Sequence, residues 1–171
     1  MNLDTFILKK ISMYHPKNGL DHIATLFINM SSINHKLVTE HSERTALLAE
    51  AVAKKLHIDS KLTFLAALLH DIGKLILPYS LFKDKEDITK EEYEEIKTHV
   101  KNSKKNLDRY LFTGLCAGLH HAMYSKGYGL TIKDFPKNMS LSNIKKILEI
   151  STIISICDFI DRFVVRCCLQ Q

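Results

Sequence analysis

Apolar side chains recur every three or four residues along most of the chain, which is the spacing of one face of an α-helix. In the first such stretch they are Leu3, Phe6, Ile7 and Ile11, and the spacing resumes after the break HPKNG. The residue before Pro78 disfavours the helical conformation, so we expect the fourth helix to stop close to it. The pattern predicts helices over about residues 3–14, 20–30, 40–56, 61–77, 88–111, 112–124 and 141–168.

Residues that break helices are few, since the chain has only three prolines and six glycines. Thr89 followed by Glu92 is a capping box, which marks the start of the fifth predicted helix. A chain of 171 residues with 46% hydrophobic content is long enough to bury one hydrophobic core but too short to form two of ordinary size. We therefore predict an all-α, single-domain helical bundle of about six to eight helices.

The remaining composition excludes several classes of protein. The start of the chain does not resemble a secretory signal, and no apolar run reaches membrane-spanning length. The four cysteines lack CxxC spacing, which favours reduced thiols in a cytoplasmic protein. The formal net charge of +5 favours an anionic partner. The sequence has no basic stripe with interleaved aromatics, which is the pattern that would indicate nucleic-acid binding. The cysteines are Cys116, Cys157, Cys167 and Cys168.

Five of the nine histidines occur where burial is expected. His70, His120 and His121 follow apolar helical runs, and His99 lies beside Ile96 on an apolar stripe. A single buried histidine is most often satisfied by hydrogen bonds. Several imidazoles buried together are costly unless each is hydrogen-bonded or coordinated, and a metal removes that cost. The five are His41, His70, His99, His120 and His121.

Two aspartates strengthen the metal hypothesis. Asp158 stands inside a strongly apolar helix, where a carboxylate needs a partner. His70 and Asp71 are adjacent and would point about 100° apart on a helix. Both can reach one site only where the helix ends, and Gly73 is expected to mark that end. Lys74, taken alone, reads as an ordinary solvated side chain.

These residues together resemble a known family. The ordered series EHSERT around His41, HDIGK from His70, KTHV around His99, the pair HH and CDFID around Asp158 is similar to the HD superfamily of metal-dependent phosphohydrolases. The resemblance covers about residues 36–165. It is closest to the HD-GYP branch, whose members typically hydrolyse cyclic di-GMP, and it implies a helical bundle of the HD-domain type.

The resemblance implies a role for each of these positions. Asp71 would bind both ions of a two-metal site, and Lys74 would reach the substrate phosphate or the bridging solvent. Asp71 and Lys74 are therefore the implied catalytic residues. Two divalent ions about 3.5–4 Å apart would lower the pKa of a shared water and clamp the phosphoryl oxygens. The first metal would be held by His41, His70, Asp71 and Asp158. The second would be completed by His99, His120 and His121.

The sequence departs from the HD-GYP pattern after the second histidine of the pair. Ala122 replaces a glutamate, Ser125 and Lys126 replace Asp-Gly, and Leu130 replaces a proline. In addition, Leu37 stands one turn before His41, where members with three metals carry a glutamate. We therefore expect at most two metals, and an altered loop beside the substrate.

Three functions follow from this comparison. The first is a two-metal phosphodiesterase for a cyclic dinucleotide such as cyclic di-GMP. The second is a phosphohydrolase of another nucleotide or small phosphoester, and the third is an inactive module that binds a metal or ligand. All seven residues that the resemblance implies as metal ligands are present, which argues against an inactive module.

The cofactors and the organisation of the chain follow from the same resemblance. We expect two divalent ions, iron or manganese first, with zinc, nickel and magnesium as alternatives. The expected ligand is a small phosphorylated substrate, and a homodimer or a signalling-protein partner is compatible with the chain. Residues 1–35 are predicted to form an N-terminal helical extension packed on the core, and residues 36–171 the HD-type domain. We expect Arg44 to have a structural role through Glu40 or Asp71.

Overall fold

The computed structural model describes residues 2–14, 18–82, 88–122 and 127–169, with residues 166–169 described by their backbone alone. Within these ranges the chain forms eight α-helices and short 3-10 turns, and no strand. The predicted all-α fold of six to eight helices is therefore confirmed. The helices are α1 (Leu3–Tyr14), α2 (Leu20–Asn34), α3 (Lys36–Lys55), α4 (Ser60–Leu68), α5 (Lys90–Lys97), α6 (His99–Asn106), α7 (Leu111–Leu119) and α8 (Leu141–Leu169).

The core forms where α3, α4, α7 and α8 pack together. Ala46, Ala49 and Ala53 lie on the buried side of α3, and their small side chains allow α4 and α8 to approach closely. Helix α4 is buried on nearly every side, from Thr63 to Leu68, as expected of a helix that is apolar all round. This packing fixes the end of α4, where the histidine and aspartate of the HDIGK sequence lie.

Helices α1 and α2 pack against each other and against α3, and α2 also contacts α4. Their apolar residues, among them Ile7, Ile11 and Phe27, belong to the same hydrophobic cluster as the residues of α3, α4 and α8. Burial of this kind stabilises the fold by roughly 25 cal/mol per Å² of apolar surface removed from water.

Several predicted helices have different bounds in the structure, since α2 ends at Asn34, α3 begins at Lys36 and α7 ends at Leu119. Two further differences lie beside the site. The helix predicted to continue to residue 77 ends at Leu68, and a 3-10 turn follows over Ile72–Ile76. The helix predicted over 88–111 is divided into α5 and α6 at Thr98, although the capping box of Thr89 is confirmed. In both places a histidine ring bonds to a carbonyl at the end of the preceding helix, so that the backbone turns towards the interior.

Some sequence predictions concern residues outside the described ranges. These are the break at residues 15–17, Ser125 and Lys126 of the altered loop, and the side chains of Cys167 and Cys168. Cys116 and Cys157 are buried free thiols. None of the helices in the described part of the chain is both long enough and apolar enough to cross a membrane.

Candidate metal centre and active site

The seven side chains predicted as metal ligands come from five parts of the chain and meet at one buried place. His41 lies on α3, His70 and Asp71 in the turn after α4, and Asp158 on α8. The others lie at the first residue of α6 and directly after α7. All seven are buried, and six of them form two groups of three whose ligating atoms lie within 4.8 Å of one another, while Asp158 Oδ1 lies 2.9 Å from Nε2 of His41. They are His41, His70, Asp71, His99, His120, His121 and Asp158.

Three of the imidazoles are oriented by the helix that precedes them. The Nδ1–H of His70 donates to the Ala67 carbonyl at 2.6 Å, and that of His99 to the Ile96 carbonyl at 2.7 Å. His120 donates in the same way to Ala117, at 2.5 Å. Each bond satisfies one of the carbonyls that a helix leaves unpaired at its end. Because Nδ1 is held by this bond, Nε2 is the ring nitrogen directed into the site.

Asp71 lies at the centre of the cluster, and its two carboxylate oxygens face different sets of imidazoles. Oδ2 is 3.2 Å from Nε2 of His70 and 3.7 Å from Nε2 of His41. Oδ1 is 3.1 Å from Nε2 of His99 and 3.9 Å from Nε2 of His120. A carboxylate arranged in this way can bridge two ions.

His41 is oriented by a residue that the sequence analysis missed. Asp161 Oδ2 lies 2.7 Å from Nδ1 of His41, while Nε2 of His41 lies 2.9 Å from Asp158 Oδ1. Arg44 donates to both oxygens of Asp161, at 2.7 and 3.0 Å. The predicted structural role of Arg44 therefore has Asp161 as its partner, and not Glu40 or Asp71. A carboxylate behind a histidine is the usual arrangement in metal centres, where it fixes the tautomer and the ring orientation.

The residues present fit a divalent metal ion. Among the described side chains, Nε2 of His41, Nε2 of His70 and Oδ1 of Asp71 are buried without a hydrogen-bond partner. Such atoms are costly to bury unless something binds them. Neutral imidazole nitrogen and carboxylate oxygen suit iron, manganese and zinc. Two groups of side chains could each hold an ion, namely His41, His70 and Asp71, and His99, His120 and His121.

The electrostatic environment favours the ligating form of the second group of imidazoles. Burial lowers the pKa of His99. Burial, together with the neighbouring imidazole of His121, lowers the pKa of His120 well below its usual range. Burial and the charge of Arg162 lower the pKa of His121 to about 3. These rings are therefore neutral at pH 7, as metal ligands must be.

The first group behaves differently because it is richer in carboxylate. Burial acts to raise the pKa of Asp71, but the charges of His70 and Lys74 outweigh it and hold the pKa well below its usual range. Burial likewise acts to raise the pKa of Asp158, but the neighbouring rings of His41 and His70 outweigh it and hold the pKa below its usual range. Both aspartates are ionised at neutral pH. For His70, burial acts to lower the pKa and the charge of Asp71 raises it to about 9, so binding of a metal would release a proton.

Ser103 and Gly73 hold the turn of the HDIGK sequence against α6. The backbone N–H of Gly73 donates to Ser103 Oγ at 2.9 Å, and Ser103 Oγ donates to the His70 carbonyl at 2.8 Å. A Cβ at position 73 would lie 2.1 Å from the His99 carbonyl oxygen. Glycine is thus needed here for close approach of two backbones.

A cavity of about 410 Å³ opens beside the second group of histidines. Lys74 lines it, and Nζ of Lys74 lies 2.5 Å from Asp71 Oδ2. Arg162, which the sequence analysis did not single out, also lines it and pairs with Asp158 through Nε at 2.8 Å and through Nη2. Two cationic side chains therefore stand between the buried cluster and the cavity.

The loop in which the sequence departs from the HD-GYP pattern borders the same cavity. The ring of Tyr128 stacks on His121 with ring centroids 4.6 Å apart, and the Tyr128 N–H donates to the His121 carbonyl at 3.2 Å. Leu130, in place of the family's proline, is buried, and its N–H donates to the Gly118 carbonyl at 3.0 Å. The Gly127–Tyr128 pair thus lies at the cavity.

The fold and this cluster define a member of the HD domain class of helical, metal-binding proteins. The chain belongs to the HD domain family, which matches residues 38–162. The predicted superfamily is therefore confirmed, whereas assignment to the HD-GYP branch stays a prediction.

Two known proteins are similar to the chain. It is 28% identical over 123 residues to "3'3'-cGAMP-specific phosphodiesterase 1" of Vibrio cholerae serotype O1, a match over 67% of this chain and 28% of that protein. The chain thus spans less than a third of the length of this relative. The HD domain of L. monocytogenes phosphodiesterase PgpH has a similar fold, with a TM-score of 0.56 and 23% identity over 81% of this chain and 73% of that chain. At this identity the second likeness concerns the fold alone.

Proposed function

We propose that the chain is a metal-dependent phosphodiesterase that hydrolyses a cyclic dinucleotide of the cyclic di-GMP kind. The observation that carries this proposal is the position of Asp71, whose oxygens face two separate sets of imidazole Nε2 atoms at 3.1 to 3.9 Å. One carboxylate between two such sets is the arrangement that a two-metal hydrolase requires. The V. cholerae relative is a phosphodiesterase by name, which supports the same class of reaction.

We assign the ligands to two ions that share Asp71. The first would be held by His41, His70, Asp71 and Asp158, and the second by Asp71, His99, His120 and His121. When bound, ions of this kind lower the pKa of a water and neutralise charge on the phosphoryl oxygens.

The protein side chains then bind and position the substrate. Lys74 and Arg162 line the cavity with positive charge and would contact the phosphate oxygens. Asp161 keeps the His41 ring in one tautomer, with Nε2 directed into the site. The cavity itself, at about 410 Å³, lies in the range of pockets that bind small molecules. We also propose that residues 1–35 act as an extension packed on an HD domain formed by residues 36–171.

A phosphohydrolase for a different phosphoester is the second candidate. It is favoured by Ala122 and Leu130, which replace the family's glutamate and proline in the loop whose Gly127 and Tyr128 line the cavity. The name of the V. cholerae relative adds 3'3'-cGAMP as a specific alternative substrate.

Incubation of the iron- or manganese-loaded protein with several substrates under reducing conditions tests the proposal. The substrates are cyclic di-GMP, 3'3'-cGAMP and bis(p-nitrophenyl) phosphate, and the products are identified by chromatography and mass spectrometry. We expect hydrolysis of a cyclic dinucleotide that is lost in Asp71→Asn and kept in His22→Ala, because His22 is an exposed histidine far from the cluster in sequence. Hydrolysis of only the synthetic ester favours the second candidate. No hydrolysis at all contradicts both and favours a binding module.

A further inference from the structure

Two phenylalanines on α8 are largely exposed at the wall of the active-site cavity. The exposed fraction is 59% for Phe159 and 60% for Phe163, and both line the cavity. They are four residues apart, so they lie one above the other on the same face of the helix. Their rings are nearly parallel, with an interplanar angle of 16° and centroids 6.3 Å apart. Large apolar surface of this kind beside a pocket marks a place where a ligand or partner is bound.

The same segment of α8 also carries two charged residues of the site. Asp158 precedes Phe159 directly and belongs to the buried cluster, and Arg162 precedes Phe163 directly. The contacts of Arg162 with Asp158 use Nε and Nη2, and its side chain is still 43% exposed at the cavity. One helical turn therefore presents a cation and a flat aromatic surface side by side.

Residues from other parts of the chain complete the lining of the cavity, and they too include cationic and aromatic groups. Lys74, His99 and His121 line it. Tyr93, which is 48% exposed on α5, lines it as well, while Tyr128 is stacked on His121. A ligand that fills the cavity therefore meets both cationic groups and aromatic rings.

We propose that Phe159 and Phe163 are specificity-determining residues that stack against the nucleobase attached to the scissile phosphate. This inference rests on the proposed function, since it assumes that the phosphate lies against Lys74 and Arg162. A nucleotide has the required chemistry, with an anionic group and a flat ring separated by a sugar. A sugar phosphate would leave both aromatic faces uncovered, so the site should distinguish a nucleotide from the same molecule without its base.

Equilibrium binding of two probes to the metal-loaded protein tests the inference. The probes are guanosine 5'-monophosphate and ribose 5-phosphate, which share the sugar phosphate and differ in the base, and binding is measured by titration calorimetry. Stacking of a base on an aromatic side chain gives an affinity gain of about fivefold or more. We therefore expect the protein to prefer the nucleotide by at least that factor, and Phe159→Ala combined with Phe163→Ala to abolish the preference without changing the affinity for ribose 5-phosphate.

Two further variants separate stacking from a general effect on the helix. Ile156→Ala removes a side chain of α8 that is 54% exposed and lines a different groove, so it should leave both affinities unchanged. Phe159→Tyr with Phe163→Tyr keeps the flat faces and should keep the preference. All of these positions are exposed, so the substitutions leave the core intact.

Several outcomes would overturn the inference. Equal affinity of the unmodified protein for both probes is one, and a preference that survives the double alanine substitution is another. A change in sedimentation of the double alanine variant with an unchanged preference would mean that the two rings contact another protein chain. Failure of the proposed function is recognised separately, as absence of turnover of every phosphodiester, because the binding comparison does not require hydrolysis.

Discussion

Gly73→Ala tests whether close backbone contact between the HDIGK turn and α6 builds the metal centre. The new Cβ would lie 2.1 Å from the His99 carbonyl oxygen and 2.5 Å from the Ser103 N atom. Ordinary contact begins near 3.4 Å, so the two backbones must separate by about 1.3 Å. Overpacking together with a weakened bond between Gly73 and Ser103 should cost about 2–4 kcal/mol. A shift of this size also carries His99 away from Asp71, because metal ligands tolerate displacements of only about 0.2 Å.

Urea denaturation in the presence of chelator gives the free energy of unfolding, and elemental analysis gives the metal content of the protein as purified. We expect Gly73→Ala to lose stability and part of its bound metal. Gly114→Ala is the matched control, since its Cβ would meet the Leu107 carbonyl oxygen at 3.0 Å and requires much smaller adjustments. If Gly73→Ala is as stable as the parent within about 0.5 kcal/mol and binds as much metal, then close approach is not the reason for this glycine.

Three further substitutions test other parts of the account. Asp161→Ala should weaken metal binding about 10- to 100-fold in a chelator competition because His41 loses its orienting carboxylate, and unchanged affinity would remove Asp161 from the site. Lys74→Met should lower kcat/KM for a phosphodiester about 100-fold at undiminished metal content, whereas full activity would show that this cation does not assist the phosphate. Glu50→Gln should reduce the free energy of unfolding at neutral pH, because the ionised Glu50 is stabilised by its partners. Burial acts to raise the pKa of Glu50, but hydrogen bonds, chiefly from Lys10, outweigh burial and lower the pKa. The advantage of the parent over this variant should be full above about pH 5 and shrink below about pH 4, and a difference that does not vary with pH would contradict the charge pairing.

The metal cluster could be predicted from the sequence because its members violate ordinary composition rules. Asp158 inside an apolar helix and His70 next to Asp71 at the end of another are costly to bury, and the order of the motifs resembles one family. The structure brings these residues together with His99 and the histidine pair. Their roles as ligands stay predictions until metal is measured.

The residues that orient the predicted ligands, Asp161 and Ser103, could not be found from composition or from the order of the motifs. Asp161 reaches His41 across 120 positions of sequence, and Ser103 reaches His70 across 33. Both look like ordinary polar residues of amphipathic helices, so their importance arises only from tertiary packing. The quoted CDFID sequence contains Asp161, and its spacing of three residues from Asp158 was the one available signal.

The break between α5 and α6 was also hidden from the sequence pattern. The apolar spacing of Ile96 and Val100 continues across Thr98 as if one helix were present. The break becomes visible only in the bond from His99 Nδ1 to the Ile96 carbonyl, which turns the ring into the site. Periodicity reports which side of a segment is buried, and it is insensitive to a local change in helix direction.

The metal content of the purified protein tests the central claim most directly. We predict close to two divalent ions per chain, with a sharp reduction in both His70→Ala and Asp71→Ala and no reduction in His22→Ala. Asp71 has the strongest expected effect because each of its oxygens faces a different set of imidazoles. Full retention of metal in either His70→Ala or Asp71→Ala would contradict the proposed centre and the hydrolase built on it.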